Sequence, residues 1–179
     1  MSDTANDVRY PLGKYEPQPF SDELRQKWIR DIKFLPADLE MAIQTFDEHQ
    51  LDTPYRDGGW TVKQLVHHIA DSHLNAYIRF KLGATEDNPV IKPYEEKDWA
   101  NLTDVFEVPV NISVTLLHAL HRRWFVFLES LTAEQFTGKT VFHPEQQKQI
   151  TLWHLLGMYA WHGRHHVAHI TKLTEQKGW

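Results

Sequence analysis

The chain has 179 residues, 41% apolar and 24% charged, which suits one well-buried globular domain and is short for two. A net charge of −5 argues against a nucleic-acid binder with a basic surface, and the lack of cysteine excludes disulfides, thiolate metal sites and a cysteine nucleophile. No apolar run approaches the ~18 residues of a membrane helix, and Met1–Asp7 has neither the basic start nor the apolar stretch of a secretory signal, so a cytoplasmic location is expected.

Residues 1–20 hold three prolines and no helical period, which predicts an extended arm laid over the body or a partly disordered one, with residues 21–179 expected to form a single domain. Ser21 can cap a helix carrying Leu24, Trp28, Ile32 and Leu35. Pro36 is expected to break it or to open a second segment with Leu39, Ile43 and Phe46. Thr53-Pro54-Tyr55-Arg56-Asp57-Gly58-Gly59 reads as a turn. Thr61 and Gln64 make a capping box that opens a second helix, whose stripe of Val62, Leu65, Ile69, Ala76, Tyr77 and Phe80 ends near Leu82. Residues 83–110 form a long connection with a short helical turn around Tyr94–Leu102, and a loop of that length more often covers a site than idles.

A third helix begins after Asn111 and runs to about Leu131, with Leu117, Leu120, Trp124 and Leu128 as its stripe. Thr132 with Gln135 starts a short turn, and residues 138–150 alternate as a small hairpin. Thr151 caps a last helix that reaches about Gln176 and stops at Gly178. Four long amphipathic helices with unequal connections predict an all-α, up-and-down-type four-helix bundle.

Twelve histidines and seven tryptophans are both high counts for this length. Four of the histidines fall in His162-Gly163-Arg164-His165-His166-Val167-Ala168-His169, inside the last helix. Residues four apart on a helix share a face, so the run offers two clamps for a metal ion, His162/His166 and His165/His169. The helix's apolar face centres near Tyr159; His166 lies within roughly 20° of it and His162 within about 60°, against about 120° for His165. The inward clamp is therefore His162/His166, and His169 sits at the edge. A catalytic zinc site usually takes a third protein ligand and keeps an open position. On the second helix His67, His68 and His73 are available, and the face count favours His73, with His68 and His67 roughly 120° and 140° from the stripe's centre. His121 of the third helix also turns inward, and His118 lies nearer the rim. A lone inward histidine is more often a hydrogen-bonded core residue than a ligand. His49, His143, His154 and His165 read as solvated surface. The zinc-protease motif His-Glu-x-x-His, any Glu-x-x-His and the phosphate-binding glycine loops are all absent.

Three segments together carry a specific likeness: Tyr55-Arg56-Asp57-Gly58-Gly59-Trp60-Thr61, His67-His68-Ile69-Ala70-Asp71-Ser72-His73 and Trp161–Ile170. With the arm from Tyr10 and the terminal Gly178-Trp179, they resemble the YfiT group of the DinB-like superfamily over nearly the whole chain. The resemblance implies a four-helix bundle holding one divalent metal ion, zinc or nickel, on three histidines. By position these are His162 and His166 with His68, the last in disagreement with the face count; His67 is the nearest competitor. It further implies a metal-dependent hydrolase, or a transferase of a low-molecular-weight thiol such as bacillithiol, acting on a small-molecule substrate as a homodimer. His121 is then a candidate partner of a ligand or a proton carrier, and Arg79, Arg164 or Arg56 candidate binders of a substrate carboxylate, while Asp71 and Ser72 could orient a ligand. The other class compatible with these residues is a non-catalytic metal-binding stress or interaction protein.

Overall fold

A computed structural model describes residues 8–179; the part of the expected arm at residues 1–7 lies outside the described residues. In chain order the elements are helices α1 (Asp22–Ile43), α2 (Glu48–Leu51), α3 (Val62–Thr85), α4 (Glu96–Trp99), α5 (Thr103–Glu107), α6 (Val110–Glu129) and α7 (Ala133–Gly138). Strands β1 (Thr140–His143) and β2 (Lys148–Thr151) follow, then α8 (Leu152–Lys177). Local signals set most of the boundaries. The Ser21 hydroxyl accepts from the Leu24 amide, and the Thr61/Gln64 and Thr132/Gln135 boxes are reciprocal, as is an Asp47/Gln50 box that opens the unforeseen α2. The Thr151 side chain accepts from the His154 amide at the start of α8, and Gly178 ends that helix in the left-handed conformation that glycine adopts without steric cost.

The long helices α1, α3, α6 and α8 form the bundle. α1 packs against α6 and α8, and α3 packs against the same two, so α1 and α3 lie on one diagonal and α6 and α8 on the other. This departs from the up-and-down-type arrangement expected from the sequence, in which consecutive helices are neighbours. The 44–61 and 130–151 connections are long enough to cross an end of the bundle, one carrying α2 and the other α7 and the hairpin. In the hairpin, Val141 pairs with Ile150 and both are buried. The 86–109 connection is pinned at two places: the Ile91 amide donates to the Phe142 carbonyl of β1 and the Phe142 amide to the Pro89 carbonyl, and Gln64 Nε2 donates to the Ala100 carbonyl. It lies across α3 with Ile91, Ala100 and Val105 buried.

Pro36 does not break α1. The helix runs through it, and Pro36 is buried. A proline lacks the amide that would bond the carbonyl four residues back, a defect costing about 3 kcal/mol in an exposed helix. Here the Ile32 carbonyl takes a hydrogen bond from His121 Nδ1 of α6 instead.

The core is divided into two apolar clusters. One holds Trp28, Ile32, Phe80, Trp124, Leu156 and Tyr159, and the other Leu35, Leu39, Leu65, Ile69, Leu117 and Ile170. On three of the long helices the change of cluster brackets histidines: Ala70/Ala76 around His73 on α3, Leu117/Trp124 around His121 on α6, and Ala160/Ile170 around His162 and His166 on α8; on α1 it falls between Ile32 and Leu35, just ahead of Pro36. The bundle thus carries a layer of histidines between two hydrophobic halves. The arm is fastened to α8 by Trp153 Nε1 on the Gln18 carbonyl at 2.8 Å and Trp161 Nε1 on the Gly13 carbonyl at 3.2 Å. Among the described residues no helix is long and apolar enough to cross a membrane.

Candidate metal centre

Three Nε2 atoms meet in this layer. His162 Nε2 stands 3.0 Å from His166 Nε2 and 3.3 Å from His68 Nε2, and a ligand atom from each of the three lies within 4.8 Å of the others. Nitrogens bonded to a common zinc ion at 2.0–2.1 Å are separated by about 2.8 to 3.4 Å at octahedral or tetrahedral angles, so the spacing around His162 fits. The protonation state fits as well. Burial pushes His68 down to about 4 and holds His162 and His166 well below the usual histidine range, the neighbouring imidazoles adding to the effect on the latter two. Three neutral nitrogens facing one another need a cation or shared protons between them. The Nδ1 of His166 is buried without a hydrogen-bond partner, which leaves this imidazole no polar contact beyond the cluster.

The sequence left His67, His68 and His73 as rivals for the third position, and the structure separates them. His67 is fully engaged elsewhere, with Nδ1 2.8 Å from the Ser113 hydroxyl and Nε2 3.1 Å from the Val108 carbonyl. His73 is wholly buried; its Nδ1 lies 3.1 Å from His121 Nε2 and its Nε2 3.2 Å from His162 Nδ1. Of these three, only His68 brings a nitrogen to the side where the Nε2 atoms of His162 and His166 meet, while His73 stands behind His162 on its Nδ1 side. The face count placed it outside because it assumed one buried stripe, whereas α3 is covered by α6, α8 and α5, and six consecutive residues, Leu65–Ala70, are buried.

His165 requires a correction. Read as solvated surface, it is 7% exposed, stacked on Trp161 with ring centroids 4.4 Å apart and placed with its Nε2 3.2 Å from His169 Nε2. Tyr10 of the arm covers it, a burial that the amphipathic pattern of α8 does not encode. His154 and His143 are half-buried, and His49 is exposed as expected. His118 is at the surface beside Glu40, 2.9 Å away.

Around the three nitrogens stand Trp60, with its ring 4.7 Å from that of His68, and Tyr159, 6.0 Å from that of His162. Arg79 donates to the Tyr159 hydroxyl at 2.7 Å and to the Lys92 carbonyl at 3.1 Å, so it borders the site through a phenol. Arg164 turns to α1, where its Nε lies 3.2 Å from an Asp31 carboxylate oxygen, and the structure does not bring it to the histidines. Asp71, one turn beyond His68, is pushed up to about 6 by burial and by Asp104. Tyr94 of the long connection is pushed up to about 12 by burial, and its hydrogen bond to Ser72 works the other way. Tyr94 had no signal in the spacing, because the connection that delivers it has no period; its partner Ser72 was among the residues singled out in the sequence.

A model of the DinB superfamily matches residues 31–170. The chain belongs to this superfamily. It is 48% identical over 177 residues to a Bacillus subtilis (strain 168) protein named "Putative metal-dependent hydrolase YfiT", covering 98% of this chain and 99% of the relative. It is 51% identical over 175 residues to a Bacillus cereus (strain 03BB102) protein named "Putative metal-dependent hydrolase", covering 97% and 99%. The solved structure of Bacillus subtilis YfiT, described as "a probable metal-dependent hydrolase with an unusual four-helix bundle topology", superposes with a TM-score of 0.93 at 48% identity, over 96% of this chain and 98% of that one. The diagonal order of the helices found here gives such a topology a concrete form.

Proposed function

We propose that this DinB superfamily member is a metal-dependent hydrolase of small molecules whose ion is held by His68, His162 and His166. The observation that carries the reading is the meeting of three neutral Nε2 atoms, 3.0 and 3.3 Å apart around His162, contributed by two helices that are not adjacent in sequence. Three imidazoles without a carboxylate or a thiolate suit zinc or nickel. When bound, such an ion keeps its full positive charge and can polarise water, lowering its pKa toward neutrality. The names of the relatives support hydrolysis as the reaction class.

The chain's own residues have definite parts in this reading. His68 and His166 complete the ring of donors around His162. His67 is a structural tie between α3 and α6 and takes no part in ligation. Arg79 holds the Tyr159 phenol beside His162, where its hydroxyl can offer a hydrogen bond to a polar substrate atom. Trp60 forms an apolar wall against His68. The assembly on this reading is a homodimer, as the family likeness implies.

Metal analysis of the protein as purified and after zinc loading, repeated on His166→Ala, tests the assignment. One ion per chain is expected, with loss of it in the variant; retention of a full equivalent by His166→Ala would overturn the site. Hydrolysis of a panel of aryl esters and amides should disappear with a chelator and return with metal. Monochlorobimane conjugation is run beside it with bacillithiol and other low-molecular-weight thiols. Metal-dependent conjugation above background would replace water by a thiol as the activated nucleophile.

A further inference from the structure

Behind the three nitrogens runs a second set of contacts with a single direction. The Ile32 carbonyl is the fixed end, for it can only accept, and Pro36 supplies no helical amide to it. His121 Nδ1 therefore carries the proton that it donates there. A neutral imidazole has one N–H, so His121 Nε2 is a lone pair, and His73 Nδ1, 3.1 Å away, must donate to it. His73 Nε2 is then a lone pair in its turn, and His162 Nδ1, 3.2 Å away, must donate to it. That leaves His162 Nε2 as a lone pair, on the side where His68 and His166 approach. The opposite direction would set a lone pair of His121 against the lone pairs of a carbonyl, or would charge an imidazole that is 1% exposed.

We infer that His73 and His121 are positioning residues which, anchored on the carbonyl that Pro36 leaves free, fix His162 as the Nδ1–H tautomer with its Nε2 turned to His68 and His166. The inference rests on the metal reading above for its purpose, but not for its geometry. A metal-ligating histidine ordinarily donates its second N–H to a carboxylate, a carbonyl or water, which sets its tautomer and raises its basicity. Here two further imidazoles stand between the ligand and the carbonyl, so the orientation of a residue of α8 is set from α1 across the whole bundle. The chain of rings ends on an amide oxygen that cannot pass a proton on. It is an anchor and not an exit route, so on this inference His121 acts as a partner of a ligand and not as a proton carrier. The planes of His73 and His121 are nearly parallel, 15° apart with centroids at 5.0 Å, and the edge-on contacts of Trp124 and Tyr159 with His73 keep the rings from turning.

The test is long-range proton–nitrogen correlation NMR of the imidazoles in the metal-free protein near pH 7.5. His73, His121 and His162 are expected as Nδ1–H tautomers, with His67, which must donate from Nε2 to the Val108 carbonyl, as the internal contrast. An Nε2–H or mixed signal at His162 would overturn the inference. Zinc affinity, read by competition with a chelating dye, is the second measurement. His73→Phe, which keeps a ring and removes both nitrogens, should weaken binding about ten- to a hundredfold. His73→Gln, able to offer an oxygen to His162, should recover most of the loss. Unchanged affinity in folded His73→Phe would also overturn it. If the unsubstituted protein binds no zinc, the metal reading falls while the tautomer spectrum still decides this inference; if a variant does not fold, the spectrum again decides.

Discussion

His67 and His68 are neighbours in sequence, both buried on α3, and the groups they meet give them different work. His67 finds a hydroxyl and a carbonyl, which satisfy both of its nitrogens, whereas His68 finds other imidazoles. Substitution should therefore separate their effects. His67→Ala strands the Ser113 hydroxyl and the Val108 carbonyl near α6 and should cost about 1 to 3 kcal/mol of stability with metal stoichiometry unchanged. His68→Ala should do the reverse, removing the ion while costing the metal-free protein much less, because it relieves a crowded set of lone pairs. Urea unfolding of the metal-free proteins together with metal analysis would check both; metal loss in His67→Ala or metal retention in His68→Ala would reverse the assignment. At this scale the sequence placed His73, His121, His162 and His166 on apolar faces, but it left His67, His68 and His165 outside, and the structure buries all three. The sequence could not show which were ligands and which were supports, because a hydrogen-bonded imidazole and a ligating one look alike in a periodic pattern.

The elements were legible where a local signal marked them and obscure where packing overrode it. Ser21, Thr61, Thr132, Thr151 and Gly178 each act within one turn of chain, and each marks a boundary in the structure. Pro36 and the face of α3 were misread because their partners come from distant elements, the His121 imidazole in one case and α5 with its connection in the other. Glycines within α8 show the same dependence. Gly163 follows a ligand, and a Cβ there would stand 2.6 Å from Leu35 Cδ2, so its missing side chain is what lets α1 come close enough to offer Ile32 to His121. In an exposed helix, exchanging glycine for alanine gains about 0.5 to 1 kcal/mol. For Gly163→Ala we expect the opposite sign, a loss of about 1 to 3 kcal/mol from overpacking, with weaker zinc binding as α1 is pushed away. Thermal unfolding and dye competition would show it, and a stabilised variant with full affinity would mean that Leu35 moves aside freely.

For the whole molecule, a polar layer between two apolar clusters makes stability depend on pH. The sign follows from where the imidazoles are neutral. In the unfolded chain histidine titrates near 6.5, while in the folded protein burial pushes His68, His121 and His165 down to about 4 and His169 to about 3, the neighbouring His165 adding to the last. Between about pH 6.5 and 4 the unfolded state therefore binds protons that the native state refuses. Stability falls as pH falls through that window, by about 1.4 kcal/mol per pH unit for each such group, and is level above it. Asp71, raised to about 6 by burial, and Asp38, raised by burial and by Asp31, act in the opposite sense but are two groups against several. Four imidazoles remove about 5 kcal/mol per unit once the unfolded chain is protonated, against a total stability of about 5 to 15 kcal/mol for an ordinary domain. The metal-free protein should thus unfold cooperatively near pH 5, and saturating zinc, which binds only the folded state with neutral ligands, should move that midpoint to lower pH. Tryptophan fluorescence followed through urea titrations from pH 8 to 5 measures it directly. A urea midpoint unchanged between pH 7.5 and 5.5 would mean that the histidine layer takes up protons in the folded state, and the neutrality on which both the ligand set and the anchored tautomers depend would be lost with it.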